Sequence, residues 1–537
     1  MTTETAPRRP LFPATAAVWR FVTRPFRWLW RRKLKISLWL ATLITLGWQY
    51  ENWHGRRAYQ EQLALFHAEY GDMKWSDFAP PRIPDDENFF AAPVFETFVV
   101  KEPRARPPRR DGQTEEQYEY YRKADALADA LPHGRFLRMK LPEIKTVPSG
   151  QVPELPPQEG IAFLDLPQWV EEETKAGRQL PGGQTPAQWL RASLPEDATV
   201  NGFLAALSRK QAGVLPHRSD VRAIGEQLND PAVIPIPAVS GLFGNSKVIG
   251  LRARAAARAG DGDAARQHCE VLWLLAEGYS SSGTLVGTLV GLALTGVANT
   301  ATTEALACRC WTEADLVILR DRLLRVDEER TTFTGLLLEG FGWHFWPGDI
   351  KEWHRKAMAE MPAFRIKTEG LYLWTCAHGP DGWIDANLAH HLRWWRTLMM
   401  PDGPGDDLQA LHHKLSANME SVMKDTHSGF IAGIPSPRKV WAAISIPAMS
   451  GIASSALQHQ TRRRQLLLAI AIERHFLAKG TLPQKAEDLV PAFLDAIPGD
   501  PHAPGTPLRW EAGTGSIRYR ILSAQKDAAL GFPEQVP

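Results

Sequence analysis

The chain has 537 residues, 44% hydrophobic and 23% charged, which is enough for two or three globular domains. Its formal net charge of +2 hides an asymmetry: nine basic residues and one acid precede Ile36, a local +8 that leaves the remainder at −6. A mildly acidic bulk argues against nucleic acid as the partner of the main domain, because phosphate binding needs clustered cations on the binding face.

Residues 1–33 form a basic segment in which, between Val18 and Trp30, arginines alternate with tryptophan and phenylalanine. Such a pattern suits a helix lying on an anionic leaflet. From Ile36 to Tyr50 the chain reads ISLWLATLITLGWQY without a charge. As a helix this run covers about 22 Å, short of a hydrocarbon core of about 30 Å. Extension to residues 34–53 closes the gap if Lys35 snorkels inward and Glu51 sits at the far headgroups. Trp28, Trp30, Trp48, Tyr50 and Trp53 then take interfacial positions. The spacing predicts a transmembrane anchor over 34–53 that contacts membrane lipid. The basic flank predicts a cytoplasmic N-terminus and a periplasmic bulk, in a bacterial inner membrane. Two other readings are a cleaved signal peptide, for which QYENWHG offers no small-residue site, and a buried core helix.

Residues 54–160 read as a stalk followed by proline-rich extended segments. Arg56–Tyr70 is polar and helix-prone, and Pro80–Phe95 alternates prolines with apolar residues and acids. Asp85, Asp86 and Glu87 fit a turn or helix cap better than a cation site. Lys101–Arg110 and Leu141–Pro157 are proline-rich and bracket a short charged helix near Thr114–Leu131.

Residues 161–460 carry helical periodicity, with helices over Ala187–Leu194 and Asp197–Arg209 and a break at Pro231–Pro237. A helix from Ser246 to about Ala259 leads through the turn Gly260-Asp261-Gly262 to a second, capped by Asp263, that ends at Tyr279. A long apolar helix follows, Thr284 to Ala307, and another starts at Thr312, which has capping-box spacing to Asp315. Short turns between consecutive helices imply an antiparallel bundle or solenoid. The run TLVGTLVGLALTG resembles a second membrane span, yet it lacks a basic flank and an aromatic belt. It reads instead as a core helix whose glycines admit close neighbours. Cys269, Cys308, Cys310 and Cys376 are few for an exported chain. They read as buried thiols, or as a bridge from Cys269 to Cys308 or Cys310 if those helices pack together.

Residues 341–395 interleave seven tryptophans with His344, His354, His378, His390 and His391. Aromatic platforms bind sugars, and these histidines with Glu339 or Glu352 could perform acid–base chemistry, so Glu339, His344, Glu352 and His354 are the catalytic candidates. The competing reading places the aromatics in a core between long helices. Cys308-x-Cys310 with Cys376-x-His378 has zinc-type donors, but the one-residue spacer is tighter than zinc sites use. No P-loop, GxGxxG, GxSxG or HExxH motif is present, so no cofactor or metal is expected.

Residues 461–537 read as a compact α+β module. Thr461–Lys479 is an amphipathic helix stopped by Gly480; a short helix at Lys485–Leu489, a Pro-Asp-Pro turn and strand alternation in SIRYRILS follow. The ordered positions Gly480, Pro483, Leu489, Val490, Pro491, Leu494, Pro498, Asp500, Pro501, Pro507, Leu508, Arg509, Trp510 and Tyr519 resemble the periplasmic end of type II secretion pseudopilins. They also resemble the C-terminal module of uncharacterised membrane-anchored proteins from planctomycete and verrucomicrobial bacteria. In the latter, Arg252–Leu275, Leu285-Val286-Gly287, Trp311–Leu316 and IPDDENFFAAP are similar too. Pseudopilins join their apolar helix directly to this fold, whereas here a long domain intervenes. Ser523–Asp527 stands where calcium-binding pseudopilins have a Gly/Asp-rich loop, so calcium is not implied.

The expected fold class is mainly α: a transmembrane helix, an antiparallel helical domain and a small α+β module. The expected function is a non-enzymatic envelope scaffold with protein partners. The alternatives are an envelope polysaccharide hydrolase or binder using residues 341–395, and an accessory of secretion or pilus machinery.

Overall fold

The computed structural model describes residues 13–72, 83–98, 155, 162–194, 196–213, 239–283, 285–341, 344, 351, 355, 378–399, 408–427, 436–525 and 528–536. Within them the protein is mainly helical, with a single small sheet. The charged helix near Thr114–Leu131, the proline-rich flanks apart from Leu155, and the break at Pro231–Pro237 lie outside the described residues.

Helix α1 (Pro13–Tyr70) is continuous over 58 residues, about 87 Å at 1.5 Å per residue. Its middle touches nothing: Leu34, Ile36, Leu38, Trp39, Leu40, Leu43, Ile44 and Leu46 are all exposed. Leu38 and Leu40 point about 200° apart on a helix, so the exposure runs all round. Thr42 and Thr45 donate their hydroxyls back to the carbonyls of Leu38 and Ala41, both at 2.8 Å, which satisfies them without water. From Glu51 onward α1 becomes part of the domain. Residues 54–70, read from the sequence as a stalk, pack along α10 (Asp381–Met399), and Phe66 is fully buried.

The first large core is built by α5 (Val239–Arg258), α6 (Gly262–Ser280) and α7 (Leu285–Cys308), with α8 (Glu313–Leu323) against them. Helix α5 begins at Val239 rather than at Ser246. Its first turns contain two glycines of poor helix propensity, and burial of Leu242 in the core overrides that preference. The cap of α6 is Asp261, whose carboxylate accepts from Ala264 N at 3.0 Å. Asp263, the residue expected to cap it, lies within the first turn and binds Arg266 and Gln267. Thr312 and Asp315 do form a reciprocal capping box. Helix α7 is buried on most of its surface, and at Gly291 a side chain would collide with Ser280, so a glycine there lets α6 and α7 approach closely.

The second core joins α1, α7, α9 (Glu328–Phe341), α10, α11 (Leu408–His427) and α12 (Val440–Lys479). A smaller cluster is formed by α2 (Leu166–Lys175) and α3 (Pro186–Ser193) on α5, and α4 (Ala198–Ala205) packs near α6. The segment around Asn88 is laid across these helices. Asn88 donates to Gly213 O and accepts from Gly213 N, while Phe89, Phe90 and Phe95 enter the first core. Asp85, Asp86 and Glu87 form its turn, in which Glu87 N and Asn88 N donate to Pro84 O.

Helix α12 runs unbroken through residues 460 and 461 and ends where Gly480 turns left-handed. Its last part is not amphipathic, as the sequence suggests, but buried on every side from Gln465 to His475. The reason is that the C-terminal sheet covers the face left open by the helices. That sheet has the order β1-β2-β3, antiparallel, from β1 (Arg509–Ala512), β2 (Ile517–Leu522) and β3 (Leu530–Pro533). Lys485–Leu489 forms a single 3-10 turn, Ala486–Asp488, rather than an α-helix.

Candidate functional site

Of the four catalytic candidates, Glu352 and His354 lie outside the described residues, as do Trp343, Trp346, Trp353 and Trp374. Glu339 is half-buried on α9. His344 is half-buried where α1 meets α10. Its Nδ1 lies 3.1 Å from the Tyr59 hydroxyl, its ring centroid is 6.0 Å from that of His391, and its Nε2 has no hydrogen-bond partner. Burial pushes His344 down to about 3 and holds His391 far below the ordinary imidazole range, so both rings are neutral. Burial likewise pushes the Tyr59 hydroxyl up to about 12, with Asp385 adding to it.

The tryptophans of α10 fix the orientation of the histidines. Trp395 Nε1 donates to His391 Nε2 at 2.8 Å, which places the His391 proton on Nδ1. The adjacent Trp394 donates from Nε1 to both His390 Nε2 and Asp425 Oδ2, each at 3.2 Å. Asp425 also receives the Lys439 ammonium at 2.6 Å. Trp394, Trp395 and His391 are all buried, so these residues face a core rather than a sugar. Of the described imidazoles, His390 has a carboxylate nearby, Asp425 Oδ2 at 3.5 Å, and that carboxylate is engaged by Lys439 and Trp394.

Among the described residues several buried carboxylates are paired with arginine. Glu304, the lone acid of α7, accepts from Arg254 Nε at 2.6 Å and Arg258 Nε at 2.7 Å. Those arginines also hold Ala162 O and Leu164 O. Glu270 binds Arg266 and Arg322; Glu328 binds Arg463; Glu473 binds Arg309 from the helical domain and Arg518 from the sheet. Carboxylates held in this way tie separate elements of the fold together through charge-assisted hydrogen bonds. Glu277 differs: burial pushes its carboxyl up to about 7 against the pull of Arg322 and Arg325. It is half-buried and accepts from the Ala212 backbone.

The sequence reading missed Tyr59 and the arginine–glutamate sets. A signal for one of them existed, a single acid in an otherwise uncharged helix facing Arg254 and Arg258 at i, i+4. Among the described residues no group of three or more His, Cys, Asp or Glu side chains could hold a metal. Cys308 and Cys310 are free thiols whose burial pushes them up to about 12, as is Cys269. His378 is exposed at the start of α10, and Cys376 lies outside the described residues.

A recess lined by Ala305, Leu306, Arg309, Trp311, Leu316, Glu473, Phe476 and Leu477 encloses about 40 Å³. Sites for small molecules usually enclose about 300–1,000 Å³. Arg309 lies flat over Phe476, 3.8 Å from its centroid, so the one cation there is already engaged. The chain matches no protein-family model, no curated protein and no solved structure.

Proposed function

We propose that this chain is a single-pass protein of the bacterial inner membrane, with a cytoplasmic N-terminus and a periplasmic helical domain that acts as a non-enzymatic scaffold. The observation that carries the reading is the bare apolar stretch of α1, where Leu38, Trp39, Leu40 and Leu43 are each about 60–70% exposed. Exposure on this scale around a whole helix is unstable in water and natural in lipid. Among the described residues α7 is the one helix long and apolar enough, by length and composition, to cross a membrane, yet 61% of its most apolar window is buried inside the protein. Helix α1, whose apolar run is shorter and flanked by charges, does not meet that measure of length and hydropathy, so its reading rests on exposure: α7 has protein around it, whereas residues 34–46 of α1 are all exposed. The finer architecture, an antiparallel bundle ending in a pseudopilin-like module, belongs to the same proposal.

The scaffold part rests on what fills the interior: buried tryptophans, neutral histidines and carboxylates paired with arginine. Helix α12 runs about 60 Å from the anchor to the C-terminal module, which makes that module the end available to envelope partners. The test has two arms. Alkaline carbonate leaves the full chain in the membrane and releases it once Leu40→Arg and Leu43→Arg are combined; retention of that double variant contradicts the anchor. Hydrolysis of envelope polysaccharide that is lost on Glu339→Ala or His344→Ala contradicts the scaffold reading in favour of the hydrolase.

A further inference from the structure

The place where α1 enters the domain determines how the domain stands on the membrane. Glu51 accepts from Trp383 Nε1 at 3.1 Å and forms an ion pair with Arg438. Asn52 Oδ1 accepts from Gly382 N at 2.9 Å. These contacts begin at the last turn of the bare apolar stretch. Trp53, 57% exposed, lies at the same level, its ring 6.2 Å from Tyr50 and covered by the Arg57 guanidinium at 5.6 Å. An exposed aromatic pair topped by arginine is what a helix places at the headgroup boundary. From Leu34 to Glu51 the helix rises about 26 Å, close to a hydrocarbon thickness of about 30 Å. The boundary and the first domain contact therefore coincide within a turn.

Three helix ends meet at this level. Helix α10 starts at Asp381 beside Asn52, α12 starts just after Arg438 and Lys439, and α11 ends just beyond Asp425, which Lys439 binds. Helices α1 and α10 then run parallel, since Arg396 reaches Gln62 and Glu69 further along. The edge carries Arg355 and Arg438, each about 40% exposed and paired with Asp381 and Glu51. Arg355, Arg438 and Lys439 are matched one for one by Asp381, Glu51 and Asp425, so the edge is polar but close to neutral, with the positive ends of α10 and α12 beside the negative end of α11.

We propose that this edge of the domain, around Asp381, Trp383 and Arg438, is seated in the phospholipid headgroup layer, with anchor and domain forming one rigid body. The proposal rests on α1 being the membrane anchor. It replaces a flexible tether with a fixed stance, in which headgroups meet the edge and the C-terminal module points away from the bilayer.

The test uses the full-length chain in phospholipid nanodiscs, spin-labelled one position at a time at Leu43→Cys, Ser436→Cys or Thr397→Cys, with relaxation by oxygen and by nickel-chelating lipids. Oxygen relaxes the Leu43 label, the headgroup nickel relaxes the Ser436 label strongly, and the Thr397 label, near the far end of α10, is several-fold less affected. If the Leu43 label responds to oxygen while the Ser436 and Thr397 labels are equally remote from the nickel, the headgroup seat is overturned and the anchor stands. If the Leu43 label is accessible to water, both fall.

Discussion

Gly55 and Gly382 lie back to back where α1 crosses α10. A Cβ on Gly55 would fall 1.8 Å from the Gly382 carbonyl oxygen, and one on Gly382 would fall 1.9 Å from the carbonyl oxygen of Glu51. No side chain fits there, so the crossing requires two glycines. It is the mechanical joint between the apolar stretch and the folded domain.

Gly55→Leu forces the two helices apart. Overpacking costs about 1–3 kcal/mol, and here it also breaks the contacts of Glu51 and Asn52. The expected outcome is a domain that stays folded but is released from α1 by limited proteolysis near residue 55, while Gly182→Ala, in open space and without left-handed backbone, leaves the protease pattern unchanged.

Glu304→Gln leaves Arg254 and Arg258 buried without a counter-charge. Breaking such a set costs about 3–5 kcal/mol, so the denaturation midpoint falls steeply. Replacement of Glu172, on the surface of α2, changes it little. An unchanged midpoint for Glu304→Gln would mean the arginines find water or another acceptor.

Stability depends on pH through the histidines beside Tyr59. His344 and His391 are neutral when folded, with folded values below the ordinary imidazole value of about 6.5. The unfolded chain therefore binds more protons as pH falls below about 6.5. Their contribution is complete above that pH and is lost progressively toward about 3, where His344 titrates in the folded protein. Thermal unfolding followed between pH 7 and pH 4 shows this slope, and combined His344→Gln and His391→Gln flattens it.

Glu473→Ala removes the residue that ties Arg309 to Arg518. The sheet loosens first, so amide exchange in β2 speeds up by an order of magnitude or more while exchange in α10 is unchanged. Equal acceleration in both would show that the module and the helical domain unfold as one unit.

What the sequence revealed was local. Thr312 and Asp315 were legible as a cap because both partners lie within one turn, and α7 was legible as a core helix because serines and threonines, not arginines, flank it. Asp261 and Asp263 could not be told apart, since either acid suits the start of a helix until backbone geometry chooses. The burial of α12 was hidden for a different reason. Its polar residues Glu473, Arg474 and His475 look like a solvent face, yet Glu473 and Arg474 are satisfied by Arg518, Arg309 and Glu313, none of them adjacent in sequence. Tyr59 and His344, 285 positions apart, meet for a similar reason. Periodicity has no access to such pairs. Nor could it distinguish a tryptophan platform from a tryptophan core, which depends on whether α1 and α11 cover α10.

The orientation of the anchor is tested most directly by cysteine accessibility in spheroplasts. A membrane-impermeant maleimide is applied to cells expressing Thr397→Cys, on the exposed side of α10, or Thr3→Cys, in the basic segment, and read over the background of the parent chain. Labelling of Thr397→Cys in intact spheroplasts, with Thr3→Cys reached only after permeabilisation, is the predicted result. The reverse pattern, or equal labelling of both in intact spheroplasts, would contradict a single crossing by α1 with the N-terminus inside.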